Sequence, residues 1–467
     1  MPTLSIVSPR CIKGILMGHA DPHVTTVTTA AAAADSHALD NFWMPFSPNK
    51  EFKAEPRLLV KGEGMYVWTA AGNKVLDAAS GLFCVAAGHC RPEIAEAVYS
   101  QLKTLDYAAP FARGHPKSFQ LAHEIAEFTP TGLDRIFFVG SGSESIDSAM
   151  KMALAYHRAR GQGQRQIFIS RERAYHGVNM GGVALSGMIN NRKAFGVGLP
   201  GVYHMRHTAL PQNKFVKGQP ETGADLAEDL QRYCAMYGGD NIAAVFIEPT
   251  AGSFGCLPPP KGYLNRLREI CDQHGILLVF DEVITGWGRM GANFGAQAFA
   301  VTPDLLCMAK AVTNGAQPMG AVAARTDIYD TITNAGPAKG IEFFHGYTYS
   351  AHPACVAAGL AMMKIFRDEK LIDRAAAMAP YFIDAIFSLA DLPVVVDIRA
   401  IGMMAAVEVA MDGTPGARGH ELQKRLFDAG VNIKGTGDNL IIAPPFISEK
   451  LHIDQIVSVM REVLSKA

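Results

Sequence analysis

The sequence has no marked excess of charge of either sign, and it has no long apolar run. Its 467 residues include 43 Lys and Arg against 44 Asp and Glu, which leaves a formal net charge of −1. A charge near zero argues against a generic nucleic-acid-binding protein, which usually carries a basic excess. No apolar stretch reaches the roughly 18 residues that a membrane-spanning helix needs. We therefore expect no nucleic-acid partner and no membrane insertion.

The cysteines are scattered, and no pair of them has the C-x-x-C spacing of a zinc or redox site. The zinc motif H-E-x-x-H is absent as well. In a chain of this size, such scatter is typical of buried free thiols in a reducing compartment. We therefore predict a cytoplasmic protein whose chemistry does not depend on a bound metal.

The composition is typical of a globular protein with a large core. Apolar residues make up 49% and charged residues 19% of the chain, which is too rich in core-forming side chains for a disordered protein. At about 100–200 residues per domain, the length predicts two or three domains. We interpret residues 1–40 as a mobile extension, 41–89 as the first part of a small domain, 90–335 as a large domain and 336–467 as the rest of the small domain.

Within residues 90–335, short apolar runs alternate with segments of helical periodicity. The runs are RIFFV (135–139), QIFIS (166–170), AAVFIE (243–248), ILLVFDE (276–282) and DLLCMAK (304–310). Continuous apolar strands that are separated by helices indicate a parallel sheet covered on both faces. The sequence therefore predicts an α/β fold with a doubly wound sheet, followed by a smaller α+β region.

Three of these apolar runs end in an ionisable residue. Glu248, Asp281 and Lys310 each follow a predicted strand, about one strand-helix unit apart. Ligands of open α/β sheets bind at the carboxyl ends of the strands, so these side chains are expected at one edge of the core. Because buried charges are costly unless they are paired or functional, the set indicates a site. A lysine near carboxylates is a candidate nucleophile that forms a Schiff base with a carbonyl.

A second candidate feature follows the first apolar run. Ser141 and Glu144 match the S-x-x-E capping box, which predicts that a helix begins in the loop GSGSE. The free N–H groups of Gly142 and Ser143 would then lie at the positive end of the helix dipole. Such a helix start is suited to a phosphate group.

The same loop partly matches a dinucleotide-binding fingerprint, as G-x-G-x-x-S in place of G-x-G-x-x-G. Glu172, after the next strand, could then bind a ribose, so a nicotinamide-dependent dehydrogenase is an alternative. Lys310 has no obvious role in such an enzyme. The sequence contains no Walker A loop, no G-x-S-x-G elbow and no kinase signature.

A phosphate cradle, a Schiff-base lysine and a carboxylate together match the needs of pyridoxal 5'-phosphate (PLP). This cofactor requires an anion site for its phosphate, a lysine for its aldehyde and an acid for its pyridinium nitrogen. We assign the last role to Asp281. Val283 is expected to pack against one face of the ring, and Tyr175 to stack on the other.

The residues also resemble a known family, the class III aminotransferases of the fold-type-I PLP enzymes. Within it, the sequence is most similar to the omega-amino acid:pyruvate (beta-alanine:pyruvate) aminotransferases. The resemblance extends from about residue 41 to the C-terminus. It is carried by VGSGSESIDSAMKMA, ERAYHGVN, NIAAVFIEPTAGSFGCLPPPKGYLNRLREIC, ILLVFDEVITGWGRMG, TPDLLCMAKAVTNGAQPMGAV and HGYTYSAHP.

The resemblance implies a mainly parallel seven-stranded sheet in the large domain and a homodimer, or a tetramer, with shared active sites. It implies that Lys310 holds the cofactor and shuttles a proton, that Asp281 pairs with the ring nitrogen, and that Glu248 supports Asp281 and the region of the ring hydroxyl. The remaining implied cofactor-binding residues are Gly142, Ser143, Tyr175 and, from the neighbouring subunit, Thr348.

The implied reaction is a ping-pong transfer of an amino group, through pyridoxamine phosphate, from an amine donor to a keto acid such as pyruvate. Aminomutase, decarboxylase and racemase chemistry on the same fold remains an alternative.

The sequence departs from the resemblance where relatives carry an arginine that binds the substrate carboxylate. Lys434 stands at that position, and lysine offers a point charge instead of a planar pair of donors. Arg113 is a possible substitute, and Phe46 and Phe83 match aromatic positions around the substrate. The hypothesis is an enzyme for amines without an alpha-carboxylate, including bulky ones, that binds small carboxylates less tightly.

Overall fold

The computed structural model describes residues 39–196 and 198–467, which divide into two compact units. One unit contains residues 39–61 and 68–73, and the other contains residues 62–67 and 74–467. Every candidate site residue except Phe46 belongs to the second unit. Residues 1–38 of the predicted N-terminal extension lie outside the described residues.

The strands of the described residues are short. In chain order they are β1 (Leu59–Glu63), β2 (Tyr66–Thr69), β3 (Lys74–Asp77), β4 (Arg135–Val139), β5 (Ile167–Arg171), β6 (Val202–Met205), β7 (Ile242–Ile247), β8 (Leu277–Asp281), β9 (Leu305–Met308), β10 (Gly320–Ala324), β11 (Val395–Ile401), β12 (Met404–Val409), β13 (Val431–Asn432), β14 (Lys434–Thr436) and β15 (Asn439–Ile442).

The helices of the described residues range from single turns to eighteen residues. They are α1 (Asn49–Ala54), α2 (Ser80–Phe83), α3 (Pro92–Thr104), α4 (Pro116–Ala126), α5 (Gly142–Ala159), α6 (Met180–Leu185), α7 (Ile189–Arg192), α8 (Glu228–Tyr237), α9 (Tyr263–His274), α10 (Gly295–Ala298), α11 (Thr326–Asn334), α12 (Pro353–Asp368), α13 (Leu371–Phe387), α14 (Ala417–Asp428) and α15 (Lys450–Leu464).

A seven-stranded sheet forms the centre of the second unit, in the order β4-β10-β9-β8-β7-β5-β6. Neighbouring strands from β9 to β6 pair in parallel, whereas β10 runs antiparallel to both β4 and β9. The predicted strand 135–139 coincides with β4, and the other four predicted runs overlap their observed strands. The predicted α/β class and mainly parallel sheet are therefore confirmed.

The central strands are apolar throughout because helices cover both faces of the sheet. All six residues of β7 and all five of β8 are buried. On one face, Ile146 and Ala149 of α5 belong to the same apolar cluster as Phe246 of β7. On the other face, Leu267 of α9 shares a cluster with Phe280 of β8. This double covering explains why the strands show no alternation of polar and apolar residues.

The C-terminal part of the chain adds a second sheet, with the order β11-β12-β15-β14 and antiparallel pairing. The two-residue strand β13 pairs in parallel with β3. This pairing joins residues 76–77 to residues 431–432, which are far apart in sequence. The predicted domain boundaries themselves stay a prediction. None of the described helices is long and apolar enough to cross a membrane.

Candidate active site

Three parallel strands bring their last residues to one edge of the sheet. Glu248 follows β7, Asp281 ends β8, and Lys310 begins a 3-10 turn two residues after β9. Strand β8 pairs in parallel with both β7 and β9, and Asp281 lies opposite Cys307 in the β8–β9 register. The sheet thus places two carboxylates and an amine on the side where ligands of such sheets bind.

Asp281 is a buried carboxylate that is held on both oxygens. It is 6% exposed, its Oδ2 lies 2.8 Å from Nδ1 of His176, and its Oδ1 accepts the Val283 N–H at 3.1 Å. Because a carboxylate only accepts, Nδ1 of the fully buried His176 donates the proton of this bond. Nε2 of His176 has no hydrogen-bond partner among the described residues. The carboxylate is therefore fixed in one orientation.

Lys310 combines a strained backbone with an unpaired amine. Its φ is +54°, in the left-handed region that a non-glycine residue seldom adopts. Its Nζ lies 5.8 Å from the centre of the buried Phe83 ring, within the range of a cation–π contact. No hydrogen-bond partner of this amine occurs in residues 39–196 and 198–467. Burial lowers the pKa of Lys310, although the charges of Asp281 and Glu248 oppose that shift.

Glu248 occupies the most desolvated position of the three. Its Oε1 accepts the Tyr175 N–H at 3.0 Å, and its Oε2 accepts the Gly252 N–H at 3.2 Å. Burial raises the pKa of this carboxyl to about 7, with a contribution from the negative charge of Asp281. Glu248 therefore anchors the loop that carries Tyr175, and it holds a proton up to near neutral pH.

The loop after β5 approaches the start of α5 closely. Gly177 has a φ of +94°, and a Cβ there would lie within 3.0 Å of three Ser143 atoms. The Val178 N–H also donates to Oγ of Ser143 at 3.1 Å. Burial raises the pKa of Tyr175, and the charges of Asp281 and then Glu248 add to the shift. The aromatic ring of Tyr175 is therefore part of the same buried, acidic environment.

The helix start predicted from the capping box is present. Ser141 is the N-cap of α5, and its Oγ accepts the Glu144 N–H at 3.2 Å. The Glu144 side chain reaches back to the Gly140 N–H at 2.6 Å, instead of to the N–H of the cap residue. The N–H groups of Gly142 and Ser143 have no protein partner within the described ranges. They leave an anion site at the positive end of an eighteen-residue helix.

Val283 lies at the point where the end of β8 meets this anion site. A Cβ on Gly142 would come within 3.0 Å of both Val283 methyl groups, so only glycine fits between them. The half-buried Val283 side chain is thus fixed beside the helix start, two residues from Asp281. An aromatic ring bound between Asp281 and the phosphate site would contact this side chain.

The unpaired groups of the site match the functional groups of PLP. The amine of Lys310 and the N–H groups of Gly142 and Ser143 are donors that lack partners among the described residues. The Asp281 carboxylate, held in place by His176, would accept a hydrogen bond from a protonated ring nitrogen. An aldehyde, a phosphate and a pyridine nitrogen are the three complementary groups, so the residues fit this cofactor.

The candidate substrate residues lie in different surroundings. Arg113 is exposed on a loop, and Thr348 is exposed beside Tyr107, whose hydroxyl donates to the Thr348 carbonyl at 3.0 Å. Lys434 is half-buried in β14, where its Nζ donates to the Gly435 carbonyl at 2.7 Å and burial lowers its pKa. Phe46, in the first unit, is 77% exposed. Among the substrate candidates, Phe83 lies beside the strand-end residues, with its ring centre 5.8 Å from Nζ of Lys310.

The sequence analysis did not assign a role to His176. The residue follows Tyr175 directly after a parallel strand, on the sheet edge where Asp281 was expected. A histidine at such a position, opposite an aspartate on a neighbouring element, is the signal that could have found it.

The chain is similar to known proteins over most of its length. The family model for aminotransferase class III matches residues 46–464. An omega-aminotransferase of Caulobacter vibrioides is 54% identical, covering 92% of this chain and 98% of that protein. An omega-amino acid–pyruvate aminotransferase of Pseudomonas putida is 48% identical, covering 93% and 98%. Among solved structures, the omega transaminase from Pseudomonas jessenii in complex with PMP superposes with a TM-score of 0.88 at 29% identity, covering 93% and 98%.

Proposed function

This chain belongs to the class III aminotransferases, and from that premise we propose that it transfers an amino group from a primary amine or omega-amino acid to a small keto acid such as pyruvate. Membership of the family, the fold-type-I class and the use of PLP agree with the sequence-based predictions. The reported relatives give no support to dehydrogenase, aminomutase or decarboxylase activity. The ping-pong order through pyridoxamine phosphate is part of the proposal.

One observation carries the proposed chemistry. The amine of Lys310 is unpaired and desolvated at the sheet edge that also holds the fixed carboxylate of Asp281. A lysine whose pKa is lowered by burial has a larger neutral fraction at a given pH. A neutral amine attacks a carbonyl carbon or accepts a proton, whereas an ammonium group does neither.

When bound, PLP supplies an electron sink for the bond that breaks at the amine-bearing carbon. The protein contributes the proton transfer, for which we assign Lys310. Nζ of Lys310 lies on the Phe83 side of the site, with no hydrogen bond to hold it to one position. The amine can therefore take a proton from one carbon and return it to another.

Asp281 and His176 are assigned to hold the ring nitrogen in its protonated form. The Asp281 carboxylate is the acceptor for that proton, and the bonds from His176 and Val283 prevent the carboxylate from rotating away. Gly142 and Ser143 are assigned to the phosphate, and Tyr175 and Val283 to the two faces of the ring. Glu248 positions Tyr175 through its backbone N–H.

The proposed substrate range follows from the surroundings of Lys434. Its half-buried position and its bond to the Gly435 carbonyl leave it a weaker carboxylate ligand than an exposed bidentate arginine. We therefore propose donors without an alpha-carboxylate, including bulky amines, and weak binding of small acceptors such as pyruvate. Arg113 is the alternative ligand for the acceptor carboxylate.

We further propose a homodimer whose active sites are shared, with Thr348 reaching the phosphate of the partner subunit. The support is a set of exposed aromatic side chains in the segments around residues 107–119 and 341–349. The two segments lie together, since the rings of Tyr107 and Tyr349 are 6.3 Å apart, and a monomer seldom exposes a large contiguous apolar patch. The most exposed are Phe111, Phe119, Phe344 and Tyr349. A tetramer of two such dimers is the alternative assembly. A cytoplasmic location is also part of the proposal.

The test is to incubate the PLP-loaded enzyme with pyruvate and a panel of donors: diamines, omega-amino acids, aryl-alkyl amines and long-chain amines. We expect one alanine for each carbonyl product, with parallel lines in double-reciprocal plots. Product without alanine would indicate a decarboxylase or mutase instead. Fractionation of the native cells against a cytoplasmic marker tests the location.

A further inference from the structure

A cleft that is lined by none of the candidate site residues begins at Arg173. Its volume is about 210 Å³, and it opens beside the segment 208–220 and the strands β11 and β12. We name it the Arg173 cleft. Part of its wall is apolar, formed by Leu210, Val216 and Leu257, and the rest is polar. None of the roles assigned above uses its residues.

Arg173 lines this cleft with a guanidinium that has no ionic partner. Its charged carbon lies 4.7 Å from the centre of the Phe254 ring, and no hydrogen bond or salt bridge of its side chain occurs within the described residues. Burial lowers its pKa, as expected of a cation that its neighbours compensate incompletely. The backbone is also unusual here, because the φ of Arg173 is +65°.

Thr208 gives a second and independent indication of a ligand. It also lines the cleft, it is 3% exposed, and its Oγ1 is buried without any hydrogen-bond partner in the described part of the chain. Buried hydroxyl groups are nearly always hydrogen-bonded in native proteins. Arg173 and Thr208 thus both line one small volume, and neither side chain has a hydrogen-bond partner in the described residues.

The acidic side chains of the cleft limit the charge of its ligand. Asp397 and Glu408 are both bonded to Arg399, which also donates to the Gly255 carbonyl and to Asn439. Only Arg173 and the exposed Lys214 at the rim are left to balance an incoming charge. The two carboxylates would repel a dianion more strongly than a monoanion.

We propose that the Arg173 cleft binds a small monocarboxylate with a short apolar body. The Arg173 guanidinium pairs with the carboxylate, the Thr208 hydroxyl donates to it, and the apolar body packs on Leu210 and Leu257. Pockets for drug-sized ligands measure about 300–1,000 Å³, so a cleft of about 210 Å³ selects a smaller molecule. The proposal does not depend on which donor or acceptor the active site uses.

The test uses isobutyrate as the probe and isothermal titration calorimetry on the holoenzyme. The active site is first blocked with aminooxyacetate, whose amino group displaces the Lys310 amine from the cofactor's imine carbon to give a stable oxime, and the excess reagent is removed, so that only a second site remains. We compare the wild type with Arg173→Gln, Thr208→Val and the charge-matched control Arg158→Gln, whose side chain is exposed on α5. Isobutyramide and inorganic phosphate serve as the neutral and dianionic probes.

We expect the blocked wild type and Arg158→Gln to bind isobutyrate alike. Arg173→Gln should weaken binding at least about tenfold and Thr208→Val about threefold, as for the loss of a charged and a neutral hydrogen bond. Retained cofactor absorbance and circular dichroism establish that the variants are folded. Four outcomes would overturn the proposal: no heat at about 10 mM probe, binding abolished by the block, equal binding by Arg173→Gln, or tighter binding of phosphate or isobutyramide than of isobutyrate.

Discussion

The strand-end cluster, Glu248, Asp281 and Lys310, differs from the peripheral residues, Arg113, Thr348 and Lys434, in what fixes each side chain. The parallel sheet sets the positions of the cluster, and burial shifts the pKa of Glu248 and Lys310. Arg113 and Thr348 are exposed on connecting segments, and Lys434 belongs to a three-residue strand. The proposed roles would thus place the reaction type in the core and the choice of substrate in segments that can vary without disturbing it.

Replacing Lys310, in the strand-end cluster, should have the largest effect on kcat. We expect Lys310→Ala to lower kcat by more than about 10³-fold, because the proton-transfer group is lost. The matched control Lys193→Ala, which removes an exposed lysine, should leave kcat unchanged. Steady-state alanine formation from pyruvate measures both. A Lys310→Ala enzyme within tenfold of the wild type would mean that the cluster does not perform the chemistry.

Asp281 and His176 test whether the cluster acts as one hydrogen-bonded unit. Asp281→Asn should lower kcat about 100-fold and His176→Phe about tenfold, in keeping with the loss of charge-assisted hydrogen bonds. His176→Gln keeps an N–H donor and should recover part of the loss. The pH dependence of the cofactor absorbance gives an independent reading of the ring nitrogen. If His176→Phe moves neither kcat nor that spectrum, the bond to Asp281 has no positioning role.

The contrast also explains how much the sequence could predict. The strand ends were predictable because a buried parallel strand is a continuous apolar run, so its first ionisable residue marks the sheet edge. The helix start at Ser141 was predictable too, because the capping box lies within four consecutive residues. The bond between His176 and Asp281 joins a loop to a strand end that is far away in sequence, and no periodicity signals it. Lys434, Arg113 and Thr348 came only from the family resemblance, since exposed segments carry no pattern that fixes their position.

A mixed dimer tests whether the site needs residues from two subunits. Subunits carrying Lys310→Ala and subunits carrying Thr348→Ala are each expected to form impaired homodimers. In a random mixture, half of the dimers are hybrids, and each hybrid has one intact site if Thr348 serves its partner. We therefore expect about a quarter of wild-type activity to return.

Differently tagged subunits, refolded together, allow the hybrid to be isolated and its size to be measured. If Thr348 served its own subunit, no hybrid would contain an intact site. Mixing would then give no more activity than the Thr348→Ala protein alone.

The assignment of Lys434 to the carboxylate of the acceptor predicts a smaller effect, on KM. Lys434→Ala should raise KM for pyruvate about three- to tenfold with little change in kcat, because a binding contact worth about 1 kcal/mol is lost in ground state and transition state alike. Lys434→Arg should lower that KM, since a planar guanidinium binds a carboxylate bidentately. Arg113→Ala is the matched comparison. If neither removal raises KM, neither residue binds the acceptor.

The smallest expected effect is on thermal stability. Burial of the Glu248 carboxyl destabilises the folded protein when that carboxyl is charged. Its pKa is raised from an ordinary 4.5 to about 7 in the folded protein, so its favourable contribution is present at low pH and is lost as pH rises through about 7. The Tm of the cofactor-free protein should therefore fall more steeply between pH 5 and 8 in the wild type than in Glu248→Gln, by a few degrees over that range. Glu342→Gln, at an exposed position, should follow the wild-type slope. Parallel slopes for the wild type and Glu248→Gln would show that the buried carboxyl titrates as it does in the unfolded chain, and that burial does not distinguish the cluster from the residues around it.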